Sequence, residues 1–201
     1  MQKERLHRAA LFVFSCREFR SGVPPDSLPV LSFENHMSSA PLTSLDLRRV
    51  LGQFATGVTV VTVESALGRV HGMTANSFTS VSLEPPLISV CVLQHAHLLP
   101  LVLEKRKFGI NVLKEDQQKI SEFFARADQQ EEEEEALKVG FHWTNEGIPL
   151  LNDVLCQFTC GLHATHVAGD HTIVLGEILS ASLFAGNPLL FFRGRYTRII
   201  P

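Results

Sequence analysis

"GMTANSFTSVSLEPP", residues 72–86, lies between two strongly apolar segments, "TGVTVVTV" before it and "LISVCVL" after it. Short hydrogen-bonding side chains occupy six of its fifteen positions: Thr74, Asn76, Ser77, Thr79, Ser80 and Ser82. Hydroxyl and amide groups both donate and accept hydrogen bonds, and backbone N–H groups beside small side chains can hold an anion. The stretch therefore predicts a surface for a planar ligand with a phosphate tail. On residue types alone, the simpler interpretation is a strand that ends in a Ser- and Thr-rich turn before Pro85-Pro86.

The segments around this stretch favour a mainly β domain. Runs rich in Val, Ile, Thr and Phe, separated by turns that contain Gly, Pro or Asn, predict strands over 56–63, 69–75, 87–93, 107–113, 154–167, 171–183 and 189–192. The turn "AGDH", residues 168–171, is too short for a parallel crossover and predicts an antiparallel hairpin. Many strands with few helices favour a small barrel, which leaves no exposed sheet edge.

Helical periodicity interrupts the strands at three places. "SLDLRRVLGQFA" predicts a first helix with Ser44 as its N-cap. A second helix is predicted near 97–105, where Pro100 suits the first turn. A third is predicted near 115–127, where apolar residues form a stripe. The acidic run at 131–135 predicts a solvated helix end or loop.

Length and charge limit the class of protein. A chain of 201 residues suggests one domain, which we place at 42–201. Residues 1–41 form a Ser- and Pro-rich extension, interpreted as a disordered arm or an upstream start, with an Arg-bearing organelle-targeting peptide as the alternative to a cytoplasmic location. A net charge of −3 gives no basic footprint for nucleic acid. Apolar runs stay below the roughly 18 residues of a membrane span.

Common catalytic and metal-binding motifs are missing from the sequence. It contains no G-x-G-x-x-G after a strand, no P-loop, no G-x-S-x-G and no H-E-x-x-H. His95 and His97 lack a nearby carboxylate, so we predict no metal site there. Cys156 and Cys160 share the parity of one strand, which predicts two buried free thiols. What remains is the hydroxyl-rich stretch.

Four motifs occur in a fixed order along the domain. They are "FATGVTVVT" (54–62), "GMTANSFTSVSLEPPLISVCV" (72–92), "GDHTIVLGEI" (169–178) and "PLLFFRGRY" (188–196). Together they resemble the short-chain flavin reductase family, the reductase partners of two-component flavin monooxygenases. The resemblance covers roughly residues 44–200. It implies a split β-barrel, oxidation of NADH or NADPH, binding of FMN or FAD, a homodimer, and a monooxygenase that receives reduced flavin.

The resemblance also implies roles for particular residues. The segment around the isoalloxazine ring and the turn near the ribityl phosphate would comprise Thr74, Ala75, Asn76, Ser77, Ser80 and Ser82. His171, in the G-D-H turn, would contact the nicotinamide dinucleotide, although a histidine in a hairpin turn is by itself more simply a solvated residue. Arg193 and Tyr196 would border the same pocket. No residue is expected to act as a catalytic acid, base or nucleophile, because the hydride passes between cofactors.

The sequence departs from the family pattern at one place and leaves two alternative functions open. Relatives often place a serine and a threonine in an S-x-T-L-P pattern after the strand that follows Pro-Pro, and these help to hold the flavin phosphate. Here Ala96 and Leu98 stand in "QHAHLLP", so His95, His97 or backbone groups would have to serve instead. The preferred flavin and the preferred dinucleotide are undecided. The alternatives are a non-catalytic flavin- or haem-binding split barrel and a reductase of another acceptor such as ferric iron.

Overall fold

The computed structural model describes residues 43–65 and 68–199, with only the backbone described at residues 131, 132 and 136. The predictions for residues 1–41 lie outside the described residues. The strands are β1 Thr56–Gly57, β2 Thr59–Glu64, β3 Val70–Ala75, β4 Thr79–Leu83, β5 Pro86–Leu93, β6 Lys107–Val112, β7 Phe141–Trp143, β8 Pro149–Leu151, β9 Cys156–Ala168, β10 His171–Leu183, β11 Leu190–Phe192 and β12 Arg195–Thr197. The helices are α1 Ser44–Leu51, α2 Leu98–Lys105, α3 Gln118–Phe124 and α4 Glu131–Ala136.

A seven-stranded antiparallel sheet forms the body of the protein, in the order β3-β2-β6-β9-β10-β5-β4. Met73 and Ala75 of β3 share one apolar cluster with Val90 and Val92 of β5, although these are the first and the sixth strands of the sheet. The sheet must therefore curl round one core. Two small sheets, β1-β11-β12 and β7-β8, accompany it.

The apolar run before the hydroxyl-rich stretch lacks polar alternation because β2 is buried on both faces. Val61 and Val63 point into the barrel cluster, whereas Val60 joins a second cluster with Phe123 and Phe124 of α3. Successive side chains of a strand point to opposite faces, so both faces of β2 must be apolar. The second cluster fixes α3 against the outside of β2 and β3, next to the small β1-β11-β12 sheet.

The hairpin of β9 and β10 confirms the antiparallel turn predicted at 168–171. Ala168 pairs with His171, which leaves Gly169 and Asp170 as a two-residue loop. Gly169 has a φ of +63°, a left-handed conformation in which a residue without Cβ avoids strain. Both strands are 13 residues long, and register shifts after Leu175 and Ile178 bend the ladder.

Each of the seven predicted strand regions contains strand, but several local predictions were wrong. Thr43, not Ser44, is the N-cap of α1, because the Thr43 hydroxyl accepts the Asp46 N–H. The stretch at 79–83, expected as a turn, is strand β4. Cys160 is buried as predicted, whereas Cys156 is only half-buried. Three short strands, β7, β8 and β12, were missed because three residues are too few to show a period.

Candidate functional site

At the end of β3, the side chains are buried in the protein and the backbone is the part that a ligand could contact. Thr74 is 1% exposed, and its hydroxyl donates to the Ser121 carbonyl at 2.7 Å. Ala75 is also buried, and its carbonyl accepts the Thr59 hydroxyl at 2.7 Å. Since β3 is an edge strand of the large sheet, one side of its backbone is not paired to another strand. Thr74 and Ala75 can therefore contribute to a ligand site chiefly through backbone N–H and C=O groups.

The next two residues, Asn76 and Ser77, differ in their bonding. The Ser77 hydroxyl accepts the Cys91 N–H at 2.9 Å and donates to the Cys91 carbonyl at 3.3 Å. This pair of bonds ties the end of β3 to β5 across the barrel. The half-buried side-chain amide of Asn76 has no hydrogen-bond partner among the described residues. A half-buried amide without a partner favours a polar ligand.

Ser80 and Ser82 lie on β4, at the other edge of the large sheet. Ser80 is exposed, and Ser82 is partly buried with its hydroxyl accepting the Glu84 N–H at 3.2 Å. A register shift separates the two serines in the pairing of β4 with β5. Because of this irregularity, Ser80 and Ser82 do not follow the usual alternation of side chains between the two faces of a strand. The Ser80 hydroxyl is therefore available to solvent, while the Ser82 hydroxyl shapes the connection to β5.

His171 is held by the hairpin that precedes it. Its Nδ1 lies 2.7 Å from Asp170 Oδ1, and its side chain is only 13% exposed, against 82% for Asp170. The hydrogen bond from His171, together with its charge, lowers the pKa of the Asp170 carboxyl. The Gln94 backbone N–H donates to the Asp170 carbonyl at 3.0 Å, and the Gln94 side-chain amide donates to the Gly169 carbonyl at 3.1 Å. The hairpin and the loop after β5 therefore form one unit.

Strand β5 brings the Ser77 and His171 regions together. Cys91 bonds to Ser77, and Leu93 is the register partner of His171. Cys91 and Leu93 are two residues apart, which is about 7 Å along a strand. The polar rim of the barrel, which we define as the ends of β3 and β5 with the 169–171 hairpin, therefore contains Asn76, Ser77 and His171, with Ser77 and His171 on opposite edges of β5.

The two C-terminal candidates make separate contacts. The Tyr196 hydroxyl lies 2.9 Å from Ser121 Oγ, so Tyr196 and Thr74 both bond to Ser121 of α3. Arg193 Nε donates to Gln53 Oε1 at 2.8 Å, and its guanidinium lies over the Phe192 ring at 4.9 Å. Tyr196 is thus joined to the end of β3 through α3, whereas Arg193 fastens the C-terminal turn to the residues after α1.

Nothing in the sequence indicated Ser121, or the hydrogen bonds that the Cys91 backbone makes to the Ser77 hydroxyl. Ser121 is fully buried and joins two segments that lie 47 and 75 residues away along the chain. It occurs in a helix whose apolar stripe was recognised, but a serine within such a stripe gives no signal of its partners. Cys91 acts through its backbone, so its side chain could not have revealed the contact.

The described cysteines do not supply a nucleophile. Burial raises the pKa of the Cys160 thiol to about 12, and burial also raises the pKa values of Cys91 and Cys156. Thiols of this kind stay protonated at neutral pH. Groups of three or more potential metal ligands are not found together within residues 43–65 and 68–199. The rim therefore offers hydrogen bonding and ring alignment, which suits cofactors that supply their own reactive atoms.

No helix in the described ranges is long and apolar enough to cross a membrane. The longest helices, α1 and α2, each have eight residues. A bilayer span needs about 20 residues in a helix.

Comparison with known proteins gives one consistent answer. Residues 51–199 match the model of the flavin reductase like domain. The chain is 40% identical over 157 residues to an NADH-dependent flavin reductase of Rhodococcus sp, covering 77% of this chain and 86% of that protein. It is 36% identical over 157 residues to HsaB of Rhodococcus jostii (strain RHA1), the reductase subunit of a flavin-dependent monooxygenase, covering 77% of each.

A solved structure extends the match to three dimensions. The NADH:FAD oxidoreductase SgcE6 of Streptomyces globisporus C-1027, in complex with NAD and FAD fragments, superposes with a TM-score of 0.72 at 39% identity. The superposition covers 81% of this chain and 98% of that one. The predicted split-barrel fold and oxidoreductase class are thereby confirmed. On its sequence match and its fold together, the chain belongs to the flavin reductase family.

Proposed function

We infer that this chain is an NAD(P)H-dependent flavin reductase, which transfers a hydride from a nicotinamide dinucleotide to FMN or FAD. The observation that favours this function is the polar rim, where Asn76, whose amide has no partner among the described residues, precedes Ser77 at one edge of β5 and the G-D-H histidine, His171, lies at the other edge. A reductase must hold two ring systems next to each other, and Asn76 and His171 provide one polar group for each. Membership of the flavin reductase family supports the same function.

The residues at the end of β3 fit a flavin. A flavin ring carries polar atoms along one edge, and the free backbone side of β3 with the Asn76 amide supplies complementary donors and acceptors. Ser77 holds this end of the strand against β5, so the donors are fixed before binding. Bound flavin supplies the hydride acceptor. The chain itself needs only to align the rings and to exclude water, because alignment lowers the entropic part of the barrier.

His171 is assigned to the dinucleotide as an orienting residue. Its ring is largely covered and is bonded through Nδ1 to Asp170, which fixes its orientation at the tip of the hairpin. A fixed imidazole can hold an amide or phosphate group of the dinucleotide by a hydrogen bond. Hydride transfer requires no proton from it.

Steady-state oxidation of NADH, followed by its absorbance with and without added FMN and FAD, tests the function. We expect turnover that depends on added flavin, with the ratio of the two rates naming the preferred flavin, and a repeat with NADPH naming the dinucleotide. A folded protein that binds flavin but oxidises neither dinucleotide would refute the reductase and favour a flavin-binding module.

We propose that the product, reduced flavin, serves a separate monooxygenase. HsaB, one relative, is the reductase subunit of such a system. A reductase that releases its flavin should bind the reduced form no more tightly than the oxidised form. Trapping by a flavin monooxygenase in a coupled assay, across a dialysis membrane that passes flavin only, would show transfer by diffusion. If the monooxygenase turned over in a mixed solution but not across the membrane, the reduced flavin would have to pass by direct contact between the two proteins.

We also propose a homodimer, based on the exposed apolar side chains of the described residues. Leu83 of β4 is 93% exposed, and Leu183 of β10 is 81% exposed. Leu83 pairs with Pro86, and the next residue of β5, Leu87, pairs with Glu177 of β10, so Leu83 and half-exposed Leu179 lie at one end of the large sheet. Apolar surface of this kind is typical of an interface.

Sedimentation velocity at micromolar concentration tests the dimer. We expect the wild type to sediment as a dimer and Leu83→Asp to shift toward monomer, because the charge would be buried without a partner. Val167→Asp, at a 75% exposed position near the 169–171 hairpin, is the matched control. A monomeric wild type would refute the proposal.

A further inference from the structure

A segment that follows α3 contacts the edge strand β3 without burying any described side chain. We call residues 125–136 the strap, which runs from the end of α3 through α4. Its two ends are fixed, because the flanking residues Phe124 and Leu137 both belong to the second apolar cluster. Between them, every side chain that the structure describes is exposed or half-buried. A segment with so few buried contacts can move while the rest of the protein stays folded.

A hydrogen bond joins the strap to β3 where α3 packs closely on the strand. A Cβ at Gly72 would lie 2.5 Å from the Phe124 ring, so a residue without Cβ lets α3 come this near. The Gln129 side-chain amide donates to the Gly72 carbonyl at 2.8 Å and to the Arg126 carbonyl at 3.0 Å. A neutral hydrogen bond changes an equilibrium constant by about twofold to tenfold. The bond from Gln129 to Gly72 is therefore weak enough to break and reform in the folded protein.

Two interactions between opposite charges add to this hydrogen bond. Arg126 Nη2 lies 2.5 Å from Glu133 Oε2, which joins the first residues of the strap to α4, and these side chains are 42% and 45% exposed. Burial raises the pKa of the Glu134 carboxyl, and the charge of Arg69, just before β3, opposes that shift. An exposed ion pair contributes up to about fivefold to an equilibrium constant. The strap is therefore held by several weak polar interactions.

In this position the strap closes a recess that continues the surface we assign to the flavin. The walls of the recess are residues 71–73 of β3, residues 96–98 around the start of α2, and the first half of the strap. The free space inside is about that of one water molecule. Met73 directly precedes Thr74, whose backbone we assign to the flavin. A ligand that extends along β3 beyond Thr74 therefore meets the strap.

We propose that the strap is autoinhibitory: against β3 it excludes the side chain of a flavin, and flavin binding requires the strap to leave the strand. This inference rests on the flavin binding of the proposed function. A ligand that binds only the open form has an apparent Kd raised by the reciprocal of the open fraction. Weaker strap contacts therefore strengthen flavin binding, whereas loss of a direct flavin contact weakens it. A strap that competes with the flavin also favours release of reduced flavin to another protein.

Titration of strap variants with riboflavin tests the proposal. Riboflavin is uncharged, so a charge removed from the strap does not act on the ligand. Gln129→Ala and Glu133→Gln should each lower the Kd from fluorescence quenching about threefold, through faster association with an unchanged dissociation rate. Glu64→Gln, which breaks the ion pair with Lys105 outside the strap, is the matched control and should leave the Kd unchanged. An unchanged or higher Kd in either strap variant would overturn the proposal.

Lumiflavin is the control on the ligand side, because it carries a methyl group in place of the ribityl side chain. It has nothing to place in the recess, so the wild type, Gln129→Ala and Glu133→Gln should bind it equally. If the strap variants bound lumiflavin more tightly by the same factor as riboflavin, the strap would act on the ring or on β3 itself. That result would overturn exclusion of the side chain.

Limited cleavage by a glutamyl endopeptidase gives a second readout that needs no variant. The glutamate run at 131–135 supplies cleavage sites within the strap. Riboflavin should speed cleavage in this run, because it holds the strap away from β3, and lumiflavin should not. Mass spectrometry of the fragments locates the cut. Protection by riboflavin would show a strap that closes over its ligand, and either protection or an unchanged rate would overturn the proposal.

Binding measured without a dinucleotide separates this inference from the reductase function. If Gln129→Ala gains no affinity while the wild type oxidises NADH with added flavin, the strap is not autoinhibitory and the reductase stands. If Gln129→Ala gains affinity but neither NADH nor NADPH is oxidised, the strap regulates a flavin-binding module and the reductase fails. Absence of riboflavin binding by every protein would overturn both.

Discussion

Small polar side chains occupy two regions of this molecule, the protein interior where β2 and β6 pack against β8 and the polar rim of the barrel, and the two regions use them differently. In the interior, Asn111 is fully buried and makes three hydrogen bonds, to Val60, Thr62 and Leu151. At the rim, the half-buried Asn76 amide makes none within the described residues. The same residue type therefore stabilises the fold in one place and is available to a ligand in the other. Bonding, rather than residue type, distinguishes the two roles.

The largest effect is expected at Asn111. Its amide joins β2, β6 and β8, and Asn111→Ala would leave the Leu151 N–H and the Val60 carbonyl without this partner. Unsatisfied buried groups and the lost volume should reduce the free energy of unfolding by about 3 kcal/mol. Urea unfolding measures this. Asn187→Ala, at an exposed asparagine bonded to Glu115, is the control and should change stability by about 0.5 kcal/mol or less. Equal losses in both variants would contradict the interior role.

Ser77 lies between the two regions, and its variant should show an intermediate effect. Ser77→Ala removes both bonds to Cys91, which should cost about 1–2 kcal/mol of unfolding free energy. It should also weaken flavin binding, because the end of β3 is no longer held against β5. Urea unfolding and fluorescence titration measure the two effects. Thr165→Ala, at an exposed position of β9, should change neither. If the Ser77→Ala protein had wild-type stability, the two hydrogen bonds between Ser77 and Cys91 would not contribute to holding β3 against β5.

The difference between local sequence patterns and long-range hydrogen bonds explains which features could be predicted from the sequence. Alternation and turn chemistry are local, so the strands, the 168–171 hairpin and the mainly β fold were predictable. The motif order identified the family. The bonding partners were not predictable, because Ser77 and Cys91 lie 14 residues apart and Thr74 and Ser121 lie 47 apart. Thr74 and Ser77 appeared equivalent in sequence, yet one hydroxyl bonds to a buried helix and the other to a strand across the barrel.

The α1 segment shows that the partners of apolar side chains are equally hard to predict from sequence. Its stripe was recognisable, but Leu45 and Leu51 are about half exposed and Phe54 is 78% exposed in the described chain. Periodicity indicates that a face is apolar and not what covers it. A core residue and an interface residue therefore look alike in sequence.

Asn76→Ala should separate binding from stability most cleanly. Since its amide makes no hydrogen bond in the described chain, the free energy of unfolding should stay within about 0.5 kcal/mol of the wild type. Flavin affinity should fall about tenfold, which corresponds to one lost hydrogen bond of about 1.4 kcal/mol. Fluorescence titration beside urea unfolding gives both numbers. A destabilised Asn76→Ala protein would show that the rim amide has a structural partner.

The smallest effect on folding is expected at His171, where the change should appear only in the kinetics. His171→Ala removes the hydrogen bond between the ring and the solvent-exposed Asp170 carboxyl but leaves the backbone pairing of β10 with β5 and β9 in place, so stability should change little. The apparent KM for NADH should rise about tenfold, as for one lost hydrogen bond, while flavin affinity stays near the wild-type value. Asp170→Asn keeps a hydrogen-bonding side chain beside the ring and should have a weaker effect on KM. If flavin affinity fell in His171→Ala as much as NADH binding, His171 would belong with Asn76 on the flavin side of the rim.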